Sequence, residues 1–274
     1  MADRAAARPP GELIKSNTEE FFRGKDMEII LHGATGRMGA NVIACAAGHE
    51  DITITAKVSP DFEEPLCEDC YLSLDDYEGS ADVVVDFSNH ASARALCGYC
   101  VRRGLPVVIA TTGHTEQEKE IIFEAAKKIP VFYAANMSIG IAVLCSLAKK
   151  AAAAFPDADI EIVEAHHNQK LDVPSGTALT LAGAICEVRS DSHLVIGRHE
   201  NGKRMKEEIG VHSLRIGNEV GMHEIIISTG LETLTLKHEA ENRALFADGA
   251  LTAARLVAGA AKPGLYNMND IVKE

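Results

Sequence analysis

From Met27 onward the chain alternates short apolar, β-rich runs with helical stretches, and this alternation limits the fold more than any other feature. MEIILHG precedes ATGRMGANVIACAAGH, ADVVVDFS precedes HASARALCGYCVRRG, and LPVVIATTG precedes TEQEKEIIFEAAKKI. Strands that alternate with crossover helices form a parallel sheet covered on both faces. The sequence therefore predicts an α/β fold with a Rossmann-type, doubly wound parallel sheet.

After about position 156 the pattern changes to extended runs with few helices between them, among them ADIEIVEAHH, EEIGVHSLRIG and ETLTLKHEA. This predicts an inserted α+β domain built on a mixed or antiparallel sheet. The helical stretch RALFADGALTAARLVAGA is expected to return to the first sheet. We therefore expect an N-terminal extension at 1–26, a dinucleotide-binding domain at 27–138 plus 244–274, and a second domain at 139–243.

The composition restricts the class of partner. A formal net charge of −13 repels nucleic-acid backbones and anionic membranes. No apolar stretch reaches the roughly 18 residues that span a bilayer, and the first 26 residues lack the apolar centre of a secretory signal. Seven cysteines without an export signal indicate free thiols in a reducing compartment. We therefore expect a cytoplasmic protein that binds a small molecule, with neither a nucleic-acid nor a membrane partner.

Two Cys-x-x-Cys pairs, Cys67/Cys70 and Cys97/Cys100, raise the question of a zinc site. The 26 residues between the pairs exceed the roughly 15–20 of a zinc ribbon. Cys97 and Cys100 also fall in a helical stretch, where their spacing gives one buried face. We expect buried or idle thiols and no metal, and zinc is the less favoured alternative.

Gly33, Gly36 and Gly39 follow the first strand and open the first helix in the order G-x-x-G-x-x-G. Such a turn lets backbone N–H groups approach a pyrophosphate at the start of a helix. Arg37 adds a cation where a phosphate would lie. The pattern alone is weak, but its position at the first strand–helix junction predicts dinucleotide binding over a merely structural turn.

The residue that chooses between NADH and NADPH lies at the end of the second strand, about 20 positions further on. Asp or Glu there would bind an NAD ribose, but this chain has Ser59 and Pro60 at the corner, with Asp61 beyond. Without that carboxylate a 2′-phosphate meets less repulsion, and Lys57 and Arg37 are candidate phosphate contacts. The sequence therefore slightly favours NADPH over NADH as the cofactor, and it also allows the use of both.

Ligands of such sheets lie outside the carboxyl ends of the strands. Small or hydroxyl-bearing residues at these ends would let a nicotinamide ring approach, and they occur at 86–88, 110–113 and 134–137. The alternative is that Ala and Thr simply suit the ends of strands.

The segment EAHHNQKLDVPSGTAL, at 164–179, combines proton carriers with an anion site. His166 and His167 end a strand-like run and point initially to opposite faces. Ser175 is a good N-cap for the helix that follows, and its hydroxyl, the hydroxyl of Thr177 and the free N–H groups suit a carboxylate. Lys170 would lower the pKa of a nearby histidine and a bound dicarboxylate would raise it. The alternative is a surface loop whose histidines and lysine face water.

The motifs GATGRMG, VVVDFS, ATTG, AANMSIG, EAHHNQKLDVPSGTAL, RIGNEVGMHE and FADGA, in this order, resemble the 4-hydroxy-tetrahydrodipicolinate reductase family, long called dihydrodipicolinate reductase. The resemblance extends from about Met27 to Val272. The glycine turn is shared with many dehydrogenases, whereas the EAHH block is much more specific. The chain departs from the family in having ATTG where GTTG is frequent, and in lacking the acidic residue that many members carry after the second strand.

The resemblance implies a role for each matching residue. The pyrophosphate would be held by Gly33, Ala34, Thr35, Gly36, Arg37 and Met38. The nicotinamide would be lined by Ala110, Thr111, Thr112, Ala134, Ala135, Asn136 and Met137. His166 would donate the proton, with Lys170 as its catalytic partner. The substrate would be bound by His167, Ser175, Gly176 and Thr177.

The resemblance also implies NAD(P)H-dependent reduction of 4-hydroxy-tetrahydrodipicolinate to tetrahydrodipicolinate, in the diaminopimelate route to lysine. It implies a homotetramer joined through the second domain, which would bind both substrate and neighbouring subunits. Two other interpretations are a dehydrogenase of another amino-dicarboxylate, such as aspartate dehydrogenase, and a non-catalytic dinucleotide sensor. The His-His…Lys block before Ser-Gly-Thr disfavours the first, and the presence of His166 and Lys170 disfavours the second.

Overall fold

The computed structural model describes residues 26–64 and 67–272, so the expected extension at 1–26 lies outside it except for its last residue. These residues form two sheets with the strands β1 (Met27–His32), β2 (Ile52–Val58), β3 (Cys70–Tyr71), β4 (Val83–Asp86), β5 (Val107–Ile109), β6 (Pro130–Tyr133), β7 (Asp159–His166), β8 (His193–Ile196), β9 (Glu208–Arg215), β10 (Met222–Ser228), β11 (Thr233–Glu239) and β12 (Gly264–Tyr266). The α-helices are α1 (Arg37–Ala46), α2 (Ala93–Arg103), α3 (Glu116–Ala126), α4 (Ile139–Ala154), α5 (Gly176–Val188), α6 (Ala244–Ala258) and α7 (Met268–Ile271). None of these helices is both long enough and apolar enough to cross a bilayer.

The first sheet is parallel, with the strand order β12-β6-β5-β4-β1-β2-β3. Successive residues of the central strand β1 face opposite sides of the sheet. Ile29 and Leu31 lie in a core with helices α1 and α6, whereas Ile30 lies in a core with helices α2 and α3. Each such buried side chain stabilises the fold by about 1.5–3 kcal/mol. Because both faces are covered, the strands are continuous apolar runs, and the predicted α/β fold is confirmed.

The order of the strands reverses at β1, which pairs with β2 on one side and with β4 on the other. At such a reversal the loops that leave the two strands diverge and open a crevice beyond their carboxyl ends. The glycine turn leaves β1 at this point, so the topology places it at a ligand-binding edge of the sheet.

The second sheet has the order β11-β10-β7-β9-β8. Strand β7 pairs antiparallel with β10 and parallel with β9, so the sheet is mixed. Ile160 and Ile162 of β7 are fully buried against α4 and α5, which cover one face of the sheet. The prediction of a second, mixed-sheet unit is confirmed.

After β11 the chain returns to the first sheet as helix α6, and strand β12 then pairs with β6 at the edge. The chain therefore passes between the two halves of the molecule at two places, near 134–138 and near 240–243.

Cys67 and Cys70 are joined by a disulfide, with 5.0 Å between their Cα atoms. The prediction of free thiols is wrong for this pair, because the tight turn at 67–70 brings the two Cα atoms within the usual range of a disulfide. Cys97 and Cys100 are buried thiols on helix α2, as their spacing predicted.

Candidate active site

A cleft of about 600 Å³ lies beyond the carboxyl ends of β1, β4, β5 and β6 and reaches the end of β7 in the second sheet. Many of the predicted site residues line it: Gly36, Arg37, Met38, Ala110, Thr111, Thr112, Ala135, Asn136, Met137, His166, His167, Lys170 and Thr177. The cleft thus brings residues of the glycine turn together with residues of the histidine segment, which are far apart in the sequence.

The other predicted residues do not line this cleft: Gly33, Ala34, Thr35, Ala134, Ser175 and Gly176. Gly33 and Ala34 are buried, and both of their N–H groups donate to the carbonyl of Val58, at 2.8 and 3.2 Å. These two residues therefore fix the shape of the turn and tie it to the end of β2.

Only glycine suits two positions of the turn. Gly33 has a φ of +85°, and a Cβ there would lie 2.6 Å from the carbonyl oxygen of Phe87. A Cβ on Gly39 would overlap the carbonyl groups of Gly33 and Ala34. Helix α1 therefore begins directly against the turn, with Gly36 as an N-cap that has no side chain. This cradle, with helical N–H groups at the cleft, fits the pyrophosphate of a dinucleotide.

At the corner after β2, Ser59 is buried and its Oγ lies 2.7 Å from the Oγ1 of Thr35. Lys57, a candidate phosphate contact, instead donates to Asp69 at 2.7 Å. Arg37 lines the cleft at the first position of helix α1. Of the two candidate cations, Arg37 is the one directed at the ligand space.

Asp86 lies buried behind the cleft at the end of β4 and holds two groups of the cleft wall. The hydroxyls of Thr111 and Ser88 both donate to its carboxylate, at 2.7 and 2.6 Å. The Nδ1 of His32 lies 2.7 Å from the same carboxylate. Asp86 therefore orients hydroxyl groups at the position expected for the nicotinamide.

His166 is buried at the end of β7, and its Nδ1 lies 2.6 Å from the carboxylate of Glu164. Glu164 is fully buried, and the guanidinium of Arg215 donates a hydrogen bond to each of its two carboxylate oxygens, both at 2.9 Å. Burial alone would raise the pKa of Glu164, but hydrogen bonds from Arg215, Ser213 and His166 outweigh it and lower the pKa to about 2. Glu164 is therefore a carboxylate at neutral pH.

Burial lowers the pKa of His166, and the positive charges of Lys170 and Arg215 lower it further against the opposing effect of Glu164. His223 stands against His166 with a ring-centroid distance of 5.2 Å. Burial and the neighbouring His166 lower the pKa of His223 to about 4, so it is neutral. In the free protein the lowered pKa makes His166 a neutral imidazole at neutral pH.

The start of helix α5 is built as the sequence predicted, since the Ser175 side chain accepts from the N–H of Ala178. The same hydroxyl lies 3.0 Å from the Nε2 of His223, so Ser175 is buried behind the cleft wall. Thr177 faces the cleft and accepts a hydrogen bond from the side chain of Asn136, at 2.9 Å. That bond joins the cofactor side of the cleft to the histidine side.

Positively charged side chains also line the cleft. Lys170 lines the cleft and donates to Asp172 at 2.8 Å. Arg243, at the start of α6, lies 3.5 Å from the Nε2 of His167. A cleft with these cations favours an anionic ligand although the chain as a whole is acidic.

Four residues of the site were not predicted from the sequence: Glu164, Arg215, His223 and Arg243. One of them carried a usable signal, because Glu164 precedes His166 by two positions in a strand and so faces the same side. The other three reach the site from separate elements, and nothing local to the histidine segment indicates them.

Acid should weaken the fold through Glu164. Its folded pKa of about 2 is below the reference value of 4.5, so its contribution is present above about pH 4.5 and is lost as the pH falls towards 2. The shift corresponds to about 3 kcal/mol. Urea unfolding of the wild type and Glu164→Gln across this range is expected to give stability curves that converge as the pH falls. Parallel curves would contradict the prediction.

Comparisons with known proteins agree with this geometry. Residues 27–137 match the family described as "Dihydrodipicolinate reductase, N-terminus", and residues 140–272 match "Dihydrodipicolinate reductase, C-terminus". The chain is 44% identical over 250 residues to a 4-hydroxy-tetrahydrodipicolinate reductase of Caldanaerobacter subterraneus subsp. tengcongensis, covering 90% of this chain and 99% of the relative. A 4-hydroxy-tetrahydrodipicolinate reductase of Clostridium tetani is 42% identical over 246 residues, covering 89% and 96%.

A solved structure titled "Dipicolinate bound Dihydrodipicolinate reductase", from Paenisporosarcina sp. TG-14, is also similar. It superposes with a TM-score of 0.75 at 26% identity, covering 90% of this chain and 99% of that one. On the fold, the cleft and these matches, the chain belongs to the dihydrodipicolinate reductase family.

Proposed function

We propose that the protein catalyses the NAD(P)H-dependent reduction of 4-hydroxy-tetrahydrodipicolinate to tetrahydrodipicolinate, a step of diaminopimelate and lysine biosynthesis. His166 is the proton donor and Lys170 its catalytic partner. The observation that supports this most strongly is that one cleft joins a dinucleotide-type turn to His166, His167 and Lys170.

The cofactor is held on the side of the first sheet. Gly36, Arg37 and Met38 bind the pyrophosphate in a turn shaped by Gly33, Ala34 and Thr35. The nicotinamide would be held at the strand ends by Ala110, Thr111, Thr112, Ala134, Ala135, Asn136 and Met137, all of which except Ala134 line the cleft. When bound, NAD(P)H supplies the hydride.

The substrate diacid is held on the side of the second sheet. Lys170, His167 and Arg243 are cations or donors at the cleft, and Thr177 presents a hydroxyl at the first turn of α5. The helix start at Gly176 adds N–H groups with a favourable dipole, behind which Ser175 caps the helix. A diacid in this position neutralises positive charge near His166.

His166 then acts as a proton donor that responds to the substrate. In the free protein burial lowers the pKa of its imidazole. A dianion bound beside it favours the imidazolium and raises that pKa. Protonation and substrate binding therefore support each other, so the proton is present when the 4-hydroxyl leaves as water and the ring accepts a hydride.

The test is direct. Purified protein with NAD(P)H and freshly prepared 4-hydroxy-tetrahydrodipicolinate is expected to lose absorbance at the nicotinamide band, and the product should be tetrahydrodipicolinate. With L-aspartate and NAD(P)⁺, a mixture in which an aspartate dehydrogenase would gain absorbance at that band, the protein should show no change. A wild-type protein that binds NAD(P)H but leaves the absorbance unchanged would overturn the proposed function.

We propose a slight preference for NADPH, supported by the absence of a carboxylate at the Ser59 corner and by Arg37 at the cleft. Arg37→Ala is expected to weaken the binding of both cofactors through the pyrophosphate, and to weaken NADPH binding about tenfold more than NADH binding, because the 2′-phosphate adds a further charge-assisted contact of about 1.5–3 kcal/mol. Fluorescence titration gives both dissociation constants. Lys128→Ala, at an exposed position before β6 and far from the carboxyl ends of the strands, is the matched control. Equal weakening of both cofactors by Arg37→Ala would contradict the preference.

Three further proposals concern the whole protein. We divide the chain into a dinucleotide-binding domain at 27–138 plus 244–274 and a substrate-binding and oligomerisation domain at 139–243, since α6 packs in the core of the first sheet.

A homotetramer through the second domain is supported by its exposed apolar side chains, such as Leu214 and Ile216. The free thiols on Cys45, Cys97, Cys100, Cys145 and Cys186 support a cytoplasmic location, whereas the Cys67–Cys70 disulfide adds nothing to that support.

A further inference from the structure

Strand β7 directs Glu164 and His166 to the same side of the second sheet, the side that also carries the buried Ile160 and Ile162. On one neighbouring strand, β9, Arg215 stands opposite His166. On the other, β10, His223 stands opposite Glu164. A carboxylate, a guanidinium and two imidazoles therefore meet on one face, at positions set by the pairing of three strands.

The hydrogen bonds assign the proton of His166. A carboxylate is only an acceptor, so the 2.6 Å contact between Glu164 and Nδ1 requires a proton on Nδ1. Arg215 binds Glu164 bidentately, and the backbone N–H of Ser175 donates to it at 3.2 Å. These donors hold Glu164 ionised and in one orientation.

Nε2 is the other nitrogen of His166, a residue that lines the cleft. Gly221 stands against it, and a Cβ at that position would lie 3.0 Å from Nε2. Glycine at 221 leaves this edge of the imidazole uncrowded. Nε2 is thus the nitrogen left to meet a ligand in the cleft that His166 lines.

We propose that Glu164, held as a carboxylate by Arg215, is the positioning residue that keeps the proton of neutral His166 on Nδ1, so that the second proton, taken up when the diacid binds, lies on Nε2 and is donated from there to the substrate. The inference rests on the proposed role of His166 as proton donor. Glu164 does not itself touch the substrate, and it acts through the orientation and charge of the imidazole.

Several charged or titratable groups face His166. They are Glu164 on β7, Arg215 on β9, His223 on β10, Lys170 after β7, and His167 with Arg243 across the cleft. The loop that carries Gly221 adds Glu219, whose carboxylate accepts the Gly221 N–H. Among these, Glu164 is the group hydrogen-bonded to the imidazole, and its negative charge favours the imidazolium against the surrounding cations.

Glu164→Gln is expected to lower kcat about 10–10²-fold, a part of what a positioned general acid contributes. It should also move the alkaline limb of the kcat profile to lower pH, because removal of the carboxylate disfavours the imidazolium. The affinity for NAD(P)H should be unchanged, which also reports correct folding. An unchanged kcat and alkaline limb would overturn the inference.

Glu161→Gln is the matched control. Glu161 lies on the same strand and also binds a histidine and an arginine, with His212 at 2.7 Å and Arg204 at 3.2 Å. It faces the opposite side of the sheet from Glu164. Its pH profile should match that of the wild type, and an equal shift in Glu161→Gln would overturn the inference.

Arg215→Lys provides a second variant in case Glu164→Gln does not fold. It keeps the positive charge but loses the bidentate contact. The alkaline limb is expected to move in the same direction as in Glu164→Gln, by a smaller amount. A profile identical to that of the wild type would count against Arg215 as the group that holds Glu164.

Imidazole ¹⁵N spectra test the tautomer without turnover, with His166→Gln used to assign the signal. Above its pKa, His166 of the wild type should carry the proton on Nδ1, and Glu164→Gln should mix the two tautomers. A wild-type proton on Nε2 would overturn the inference. Because this readout needs no substrate, it separates failure of the inference from failure of the proposed reaction, which a wild type without turnover would reveal.

Discussion

His166→Gln is expected to reduce kcat by about 10²–10⁴-fold, the range that a positioned general acid contributes. Glutamine keeps a polar side chain of similar length but has no proton to donate at neutral pH. The dissociation constant of NAD(P)H should hardly change, because the glycine turn and strand ends that we propose to bind the cofactor belong to the first sheet. Steady-state kinetics and fluorescence titration of the same preparation measure the two quantities.

His199→Gln controls for the loss of an imidazole. His199 is exposed, and its ring lies 2.7 Å from the carbonyl of Gly197, two residues away in the same loop. Its kcat should equal that of the wild type. If His166→Gln acted mainly on cofactor affinity, or if both variants lost activity equally, His166 would not be the proton donor.

Gly39→Ala is expected to lower the free energy of unfolding by about 1–3 kcal/mol, the usual cost of overpacking. The added Cβ would overlap the backbone carbonyls of Gly33 and Ala34, which cannot rotate away as a flexible side chain would. Helix α1 must shift away from the turn, so the affinity for NAD(P)H should fall as well. Urea unfolding and cofactor titration measure both effects.

Gly183→Ala is the contrasting helix glycine. Gly183 is exposed on helix α5, and a Cβ there would meet nothing within 4 Å. Alanine should therefore stabilise the protein, by about 0.4–1 kcal/mol, and leave cofactor binding unchanged. If Gly39→Ala were as stable as the wild type, the close packing of α1 on the turn would not be a requirement of the fold.

The fold was largely predictable because its signals are local. Continuous apolar runs such as VVVDF require cover on both faces, and the helices between them provide it. Strand β12, Gly264–Tyr266, could not be predicted, since three residues after a proline carry no periodicity and pairing with β6 alone makes them a strand. The parallel pairing of β7 with β9 likewise depends on tertiary contacts, and the local sequence does not predict it.

The same contrast holds in the site. His166, His167, Lys170 and Thr177 lie in one segment, so their spacing could be read directly, and all four line the cleft. The partner that holds Glu164 is Arg215, 51 residues away, and only strand register reveals it. Lys57 shows the opposite error, because a lysine near the expected phosphate is in fact bound to Asp69.

The two passages of the chain between the halves have a mechanical consequence. One contains Asn136 and Met137, and the other leads into Arg243, and all three residues line the cleft. If the two halves rotate against each other, these two segments are where the backbone must bend. Such a rotation would therefore displace residues of the cleft wall itself, rather than residues remote from it.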